Sequence, residues 1–192
     1  MRIVGGERRG LALRAARGVV TRPTADRVRE ALFQVLDNQG AVEGRDVLDL
    51  CAGTGALGIE ALSRGAASAT FVEQDPAALR VLRQNIGRAG LDGARVVAAD
   101  ALALLAEKGR SERRSPLAVY GLVLVDPPYA LWPRLAPALA AGLPAHLSVD
   151  AVVACERDAG TPPISLPGFE RADDRRYGRT AVTVLRRRGA AS

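Results

Sequence analysis

Two spacings of apolar residues alternate along the 192-residue chain, and the switching between them sketches a fold. Short, nearly continuous apolar runs read as buried strands: "DVLDL" (46–50), "ATFVE" (69–73), "ARVVAA" (94–99), "YGLVLVD" (120–126) and "DAVVACE" (150–156). Between them lie segments of helical length. One runs from Leu57 to Arg64 and is stopped by Gly65. A second is opened by Asp75 as cap and Pro76 at the first helical position, and runs to about Ala89. "ALALLAEK" (101–108) and Trp132–Ala141 are the others. "RTAVTVLRR" (179–187) alternates and predicts a last strand. Upstream, "TRPTADRVREALFQVL" predicts a helix, with Thr24 at the N-cap and Asp26 near its positive end. Val28, Ala31, Leu32, Val35 and Leu36 fall on one face of it, which is therefore buried. "MRIVGGERRGLAL" reads as two short strands around a Gly- and Arg-rich turn. The stretches "DNQGAVEG", "GRSERRSP" and "TPPISLPG" predict loops, and "RRRGAAS" a frayed tail. Strand and helix in alternation over this length predict a doubly wound α/β sheet with parallel strands.

Composition narrows the class. A 48% hydrophobic chain of this length can bury a core of its own. No apolar run approaches a membrane span, and the first residues lack a signal-peptide core, so the expected location is the cytoplasm. Cys51 and Cys155 form no CxxC pair and His146 is the one histidine, which argues against a metal site or a His-dependent triad. Both cysteines read as small core residues. The net charge of +6 is unevenly spread: residues 1–30 carry eight Arg against three acids and residues 171–192 seven Arg against two, while the middle is net acidic. Basic ends on an acidic body suggest contact with a polyanion such as nucleic acid.

Candidate chemistry begins at "DLCAGTGALGIE" (49–60), where Gly53, Gly55 and Gly58 have the GxGxxG spacing. In a dinucleotide fold these glycines bring the backbone close to a pyrophosphate. Asp49, just before the turn, would repel that pyrophosphate. It suits S-adenosylmethionine, which carries a sulfonium and an ammonium and no phosphate, better than NAD. Glu73, at the end of the second strand, can accept from both ribose hydroxyls. Asp75 competes for that role but is already explained as a helix cap. Asp100, after the third strand, can accept from the adenine amine, with the backbone of Ala101 beside it; a solvated loop acid is the plainer reading.

The second motif is Asp126-Pro127-Pro128-Tyr129, at the end of the fourth strand. In a doubly wound sheet that strand lies beside the first, so its end opens into the same crevice. A stiff proline loop presents backbone carbonyls, notably that of Pro127, and the Asp126 carboxylate is a further acceptor. Two acceptors can hold an exocyclic amine with its lone pair toward an electrophile, and Tyr129 offers a face on which a base can stack.

These motifs, with "GGERRGLAL", "TRPTADRVREALFQVL" and "VLDLCAGTGALGIEALSRGAASATFVEQD", resemble the bacterial RsmD family of ribosomal RNA methyltransferases. Cys51 stands where many relatives have Phe or Tyr. The resemblance implies a Rossmann-like S-adenosylmethionine-dependent methyltransferase fold with a mostly parallel seven-stranded sheet. It further implies a small basic hairpin-plus-helix extension over residues 1–40, before a methyltransferase domain over 41–192. The implied reaction is methylation of the 2-amino group of one guanine in small-subunit ribosomal RNA, free or within the small subunit or its precursor, with no metal and no membrane. The implied roles put Asp126, Pro127, Pro128 and Tyr129 at the target base, and Asp49, Gly53, Gly55, Glu73, Asp100 and Ala101 at the cofactor. Arg22 would meet the cofactor carboxylate or a phosphate, and Arg2, Arg8, Arg9 and Arg14 would grip RNA phosphates. The rival readings are a DNA adenine methyltransferase with the same loop, a non-catalytic RNA-binding protein on a vestigial cofactor fold, and an NAD enzyme.

Overall fold

The computed structural model describes residues 1–15, 23–106 and 117–188. Its helices and strands follow one another as α1 (Pro23–Asn38), β1 (Asp46–Asp49), α2 (Ala56–Ser63), β2 (Ser68–Glu73), α3 (Pro76–Ala89), β3 (Ala94–Ala98), α4 (Ala101–Ala106), β4 (Tyr120–Val125), α5 (Trp132–Gly142), β5 (Leu147–Asp158), β6 (Phe169–Tyr177) and β7 (Thr180–Arg187). Short 3₁₀ turns, Tyr129–Leu131 and Leu143–His146, flank α5. Residues 107 and 108, expected to extend the α4 helix, and the loop "GRSERRSP" lie outside the described residues.

The strands form one seven-stranded sheet in the order β3-β2-β1-β4-β5-β7-β6. The first five are parallel, and β7 and β6 are antiparallel. The order reverses between β1 and β4, so the helices that follow them leave on opposite faces and a crevice opens above their carboxyl ends. On one face Val47, Ala69, Phe71, Leu122 and Leu124 meet α1, α2, α3 and the N-terminal residues Ile3 and Leu13. On the other, Leu48, Val72, Val123 and Val153 meet α4 and α5 through Leu105, Leu135 and Leu139. Strands covered on both faces need no polar alternation, which is why β4 is buried at all six positions.

Three sequence expectations need correcting. The two N-terminal strands reduce to one antiparallel bridge, Arg2 to Ala12. The intervening turn spends its backbone amides on α2 instead: Val4 N donates to Glu60 Oε2 (2.8 Å), Glu7 N to the Ser63 carbonyl (2.7 Å) and Arg8 N to Ser63 Oγ (2.9 Å). The fifth strand is longer than "DAVVACE", starting at Leu147 and ending at Asp158. A strand the hydrophobic pattern does not announce, β6, forms the edge beside β7. The cap of α3 is as expected: Asp75 Oδ1 accepts from Ala78 N at 2.7 Å, with Pro76 following. Thr24, the expected cap of α1, falls inside the helical span as drawn, and its side chain lies outside the described residues.

Candidate active site

Four parallel strands deliver an acid to the same edge of the sheet. Asp49 ends β1, Glu73 ends β2, Asp100 follows β3 and Asp126 follows β4. The glycine turn that joins β1 to α2 adopts left-handed backbone at Gly53 (φ 54°) and Gly55 (φ 86°), which side chains resist. A Cβ on Gly55 would also stand 2.4 Å from Leu82 Cδ1. The turn therefore lies flat against the sheet edge and leaves a pocket of about 440 Å³ above it, within the usual range for a small-molecule site. Its lining includes Cys51, Gly53, Glu73, Asp75, Asp100, Ala101, Asp126, Pro127, Pro128 and Leu131.

The electrostatics of this pocket are one-sided. Four of its lining residues carry carboxyls and none is basic. Behind them Asp49 is 1% exposed; its Oδ2 accepts from Gly58 N at 2.9 Å and its Oδ1 has no partner among the described residues. Burial pushes its carboxyl up to about 7; the Gly58 amide opposes this, and the charges of Asp126 and Glu73 add to it. An orphaned buried acceptor in an acidic pocket calls for a cation. A pyrophosphate would meet repulsion there. Glu73 is fixed by three backbone amides: Gly53 N on Oε2, and Gln74 N and Asp75 N on Oε1, each at 2.8 Å. Asp75 is spent on Ala78, which leaves Glu73 as the acid presented by this strand end. Asp100 accepts from Leu102 N at 2.6 Å through Oδ1 and so also starts α4.

Asp126 sits at the bottom of the crevice mouth. Solvent reaches its side chain, yet the protein packed around it raises its carboxyl to about 6. Beside it stands a residue sequence reasoning missed. Val125 pairs with Cys155, so the next positions, Asp126 just past β4 and Glu156 on β5, are neighbours. Burial and then the Asp126 charge push Glu156 up to about 8, against the pull of the Arg29 guanidinium. Its one signal in the sequence is its place at the end of a strand; the strand register that makes it a neighbour is not written there.

A family model described as conserved hypothetical protein 95 matches residues 1–186. The chain belongs to this family, the RsmD family. An Escherichia coli protein named "Ribosomal RNA small subunit methyltransferase D" is 42% identical over 129 residues, covering 67% of this chain and 60% of that protein, so the match spans less than two thirds of that relative. A Bacillus subtilis protein, "Putative rRNA methyltransferase YlbH", is 31% identical over 191 residues, 98% of this chain and all of that one. A solved Escherichia coli structure, "Putative methyltransferase yhhF", superposes with a TM-score of 0.80 at 33% identity and covers 99% of both chains. The sheet is thus a Rossmann-like methyltransferase sheet.

Other expected site residues of this RsmD-family chain fall elsewhere. Tyr129 is exposed, and its hydroxyl bonds Thr180 Oγ1 at 3.0 Å. It lines a neighbouring groove rather than the pocket of Gly53 and Asp126. Cys51 is half-buried, packing against the core on one side and lining the pocket on the other, and burial with the surrounding carboxylates pushes its thiol up to about 12; Cys155 is a core residue. Helices α2 and α3 run back from the crevice edge, so their last residues lie at the opposite edge of the sheet. The Arg8–Arg9 turn is bonded there: Arg8 Nε donates to the Ala89 carbonyl (2.8 Å), closing the end of α3, and its guanidinium also pairs with Glu7. Arg14 reaches Gln84 Oε1 (2.7 Å) part-way up α3, while Arg2 and Arg9 are exposed. Arg22 lies outside the described residues.

Proposed function

We propose that this chain transfers a methyl group from S-adenosylmethionine to the 2-amino group of a guanine in small-subunit ribosomal RNA, the finer site being guanine 966. One observation carries the reading: the glycine turn, Glu73, Asp100 and the Asp126-Pro127-Pro128 loop line a single acidic pocket, with the unpartnered Asp49 oxygen behind it. The names of the Escherichia coli and Bacillus subtilis relatives support ribosomal RNA as the substrate, the former the small-subunit RNA. Bound S-adenosylmethionine supplies a methyl group already activated on a sulfonium, so the protein's part is orientation and charge.

Asp49 and the turn at Gly53 and Gly55 would hold the cationic end, Glu73 the ribose hydroxyls, and Asp100 with the backbone of Ala101 the adenine. Asp126 would accept from the target amine together with the Pro127 carbonyl. A guanine amine is a poor nucleophile because its lone pair is delocalised into the ring. Two acceptors favour a more tetrahedral nitrogen, and an ionised Asp126 can then take the amine proton. Incubation with labelled S-adenosylmethionine and, separately, naked ribosomal RNA, small subunits or duplex DNA tests the reading. Label on a guanine of either RNA substrate is the expected result. Label on DNA alone, or on nothing, overturns it.

A further inference from the structure

We infer that the β6–β7 hairpin and the groove beside it form a track for the single-stranded RNA that flanks the target base, an inference that rests on the RNA substrate proposed above. β7 runs antiparallel to β5 with Thr180 opposite Asp158, and Tyr177 of β6 lies opposite Thr180. The turn between them, closed by Gly178 at φ 63°, therefore stands on the same sheet edge as Asp126. Arg176 and Arg179 are exposed on this turn, and neither has a carboxylate partner among the described residues. Arg176 Nε donates to the Gly178 carbonyl at 3.0 Å, which fixes the side chain along the turn. Two acids of the same strand are already matched, Asp174 by the buried Arg157 at 2.7 Å and Asp173 by Arg175 at 2.9 Å, and the third, Glu170, lies at the other end of the hairpin opposite Arg186. The surplus of positive charge thus collects at the crevice end of the hairpin.

The groove shares its walls with this hairpin. It has a volume of about 550 Å³ and runs between α5 and the loop after β5, lined by Tyr129, Trp132, Pro133, Thr161, Pro162 and Pro163 among others. One wall, Tyr129, is bonded to Thr180; the other follows the link from the Ala159 amide to the Arg179 carbonyl at 2.8 Å and from the Thr161 amide to the Asp158 carbonyl at 2.9 Å. Prolines bring no amide donors and little freedom, so the groove is a preformed apolar surface. An apolar, partly aromatic surface edged by unpaired guanidinium groups matches a single-stranded polynucleotide, whose bases and sugars pack while its phosphates pair. The Arg8–Arg9 turn cannot serve this stretch of strand, since it lies at the far edge of the sheet.

The test is the affinity of the full chain for a labelled single-stranded oligoribonucleotide, measured across a salt series, with calorimetry of S-adenosylmethionine alongside. The Arg176→Ala/Arg179→Ala double variant should bind the oligonucleotide about tenfold more weakly near 0.1 M salt, with a salt slope lower by about one to two. Cofactor affinity should stay at the parent value. The Lys/Lys double variant should recover most of the RNA affinity, because phosphate pairing needs the charge, whereas a merely structural role for the guanidinium groups would leave it as weak as Ala/Ala. A parent that binds RNA with an unaltered Ala/Ala variant would overturn the track and leave the RNA substrate standing. A parent that binds cofactor and no RNA would overturn both.

Discussion

Asp49 holds a buried carboxyl near neutrality with one oxygen unused, and both facts have consequences that can be measured. Its native carboxyl is raised from the usual carboxylate range to about 7, so the folded chain binds a proton that the unfolded chain has released between about pH 4 and 7. The ligand-free protein should therefore lose stability as pH rises through that window, and the loss should level off above it. A bound cation favours the ionised acid and reverses the balance. At pH 6 binding of S-adenosylmethionine should release a proton, visible as a calorimetric heat that changes with the ionisation enthalpy of the buffer. In Asp49→Asn that proton release should disappear while the amide oxygen still accepts from Gly58. Affinity should fall by a factor of ten or more, since a charge-assisted hydrogen bond is worth roughly 1.5–3 kcal/mol. Unchanged affinity and unchanged buffer dependence would remove Asp49 from the cofactor site. Asp126 differs because its task belongs to the transition state. Asp126→Ala should slow single turnover by about a hundredfold at saturating cofactor, the scale of losing one oriented electrostatic partner, and Asp126→Asn should keep part of the rate. Because Asp126 must be ionised to accept a proton and its carboxyl is raised to about 6, the parent rate should fall as pH drops through that value.

Among the elements, α2 is the one on which the site and the N-terminal segment both depend. Its Glu60 is completely buried, accepts from Val4 N and from Arg64 Nε, each at 2.8 Å, and forms an ion pair at 3.5 Å with the buried Arg29 on α1. Glu60→Ala leaves the buried Arg29 with Asp26 alone and Arg64 with Asp37 alone, and strips Val4 N of its acceptor, so thermal unfolding should show a loss of about 1–3 kcal/mol. A variant as stable as the parent would mean that water already compensates this cluster. On the same helix, a Cβ on Gly58 would stand 2.3 Å from Phe71 Cε1 on β2, and Gly58→Ala should cost about 1–3 kcal/mol through overpacking. How much of this was legible follows from what each element needs from its surroundings. α3 could be read because Asp75 and Pro76 mark its start locally, and β1, β2 and β4 because burial on both faces leaves a solid apolar run. β6 could not: "FERADDRRY" carries charge on both faces, and only its bonds to β7 and the buried Phe169 make it a strand. In the pocket, the strand-end acids Asp49, Glu73, Asp100 and Asp126 were legible because topology alone brings strand ends together. Glu156 and the tether from Tyr129 to Thr180 were not, because both depend on which residue of one strand lies beside which residue of another.

At the scale of the whole molecule the arginines of the β6–β7 turn and of the N-terminal turn separate in space, while Arg186 and Arg187 of the basic C-terminal end stay by the start of β5, and this bears on how the chain would hold an RNA. The hairpin arginines, Arg176 and Arg179, stand at the crevice edge of the sheet, while the turn with Arg8 and Arg9 is bonded to the last residues of α2 and α3 at the opposite edge. β4 alone is six residues long, so the edges are about 20 Å apart at roughly 3.3 Å per residue. A strand of a few nucleotides cannot reach both. Arg8 also spends its guanidinium on Glu7 and the end of α3, which leaves Arg9 as the exposed arginine of that turn. Replacing Arg9 by Ala should then leave the binding of an oligonucleotide of about four nucleotides unchanged, because such a length fills only a single-strand site and, at roughly 3.4 Å per nucleotide, falls short of the far edge. The same variant should weaken the binding of a long folded ribosomal RNA fragment and lower its salt slope by about one, since each phosphate no longer neutralised by an arginine keeps roughly one counterion. Arg8→Ala should instead lower the unfolding temperature, because the Ala89 carbonyl at the end of α3 then has no guanidinium donor, with little effect on either RNA. Parallel salt titrations of the two RNAs against the parent and the Arg9→Ala variant decide the matter. An equal loss of affinity on the short and the long RNA would mean that the N-terminal charges share a track with the crevice, and the division of the surface into a target grip and a remote grip would fall.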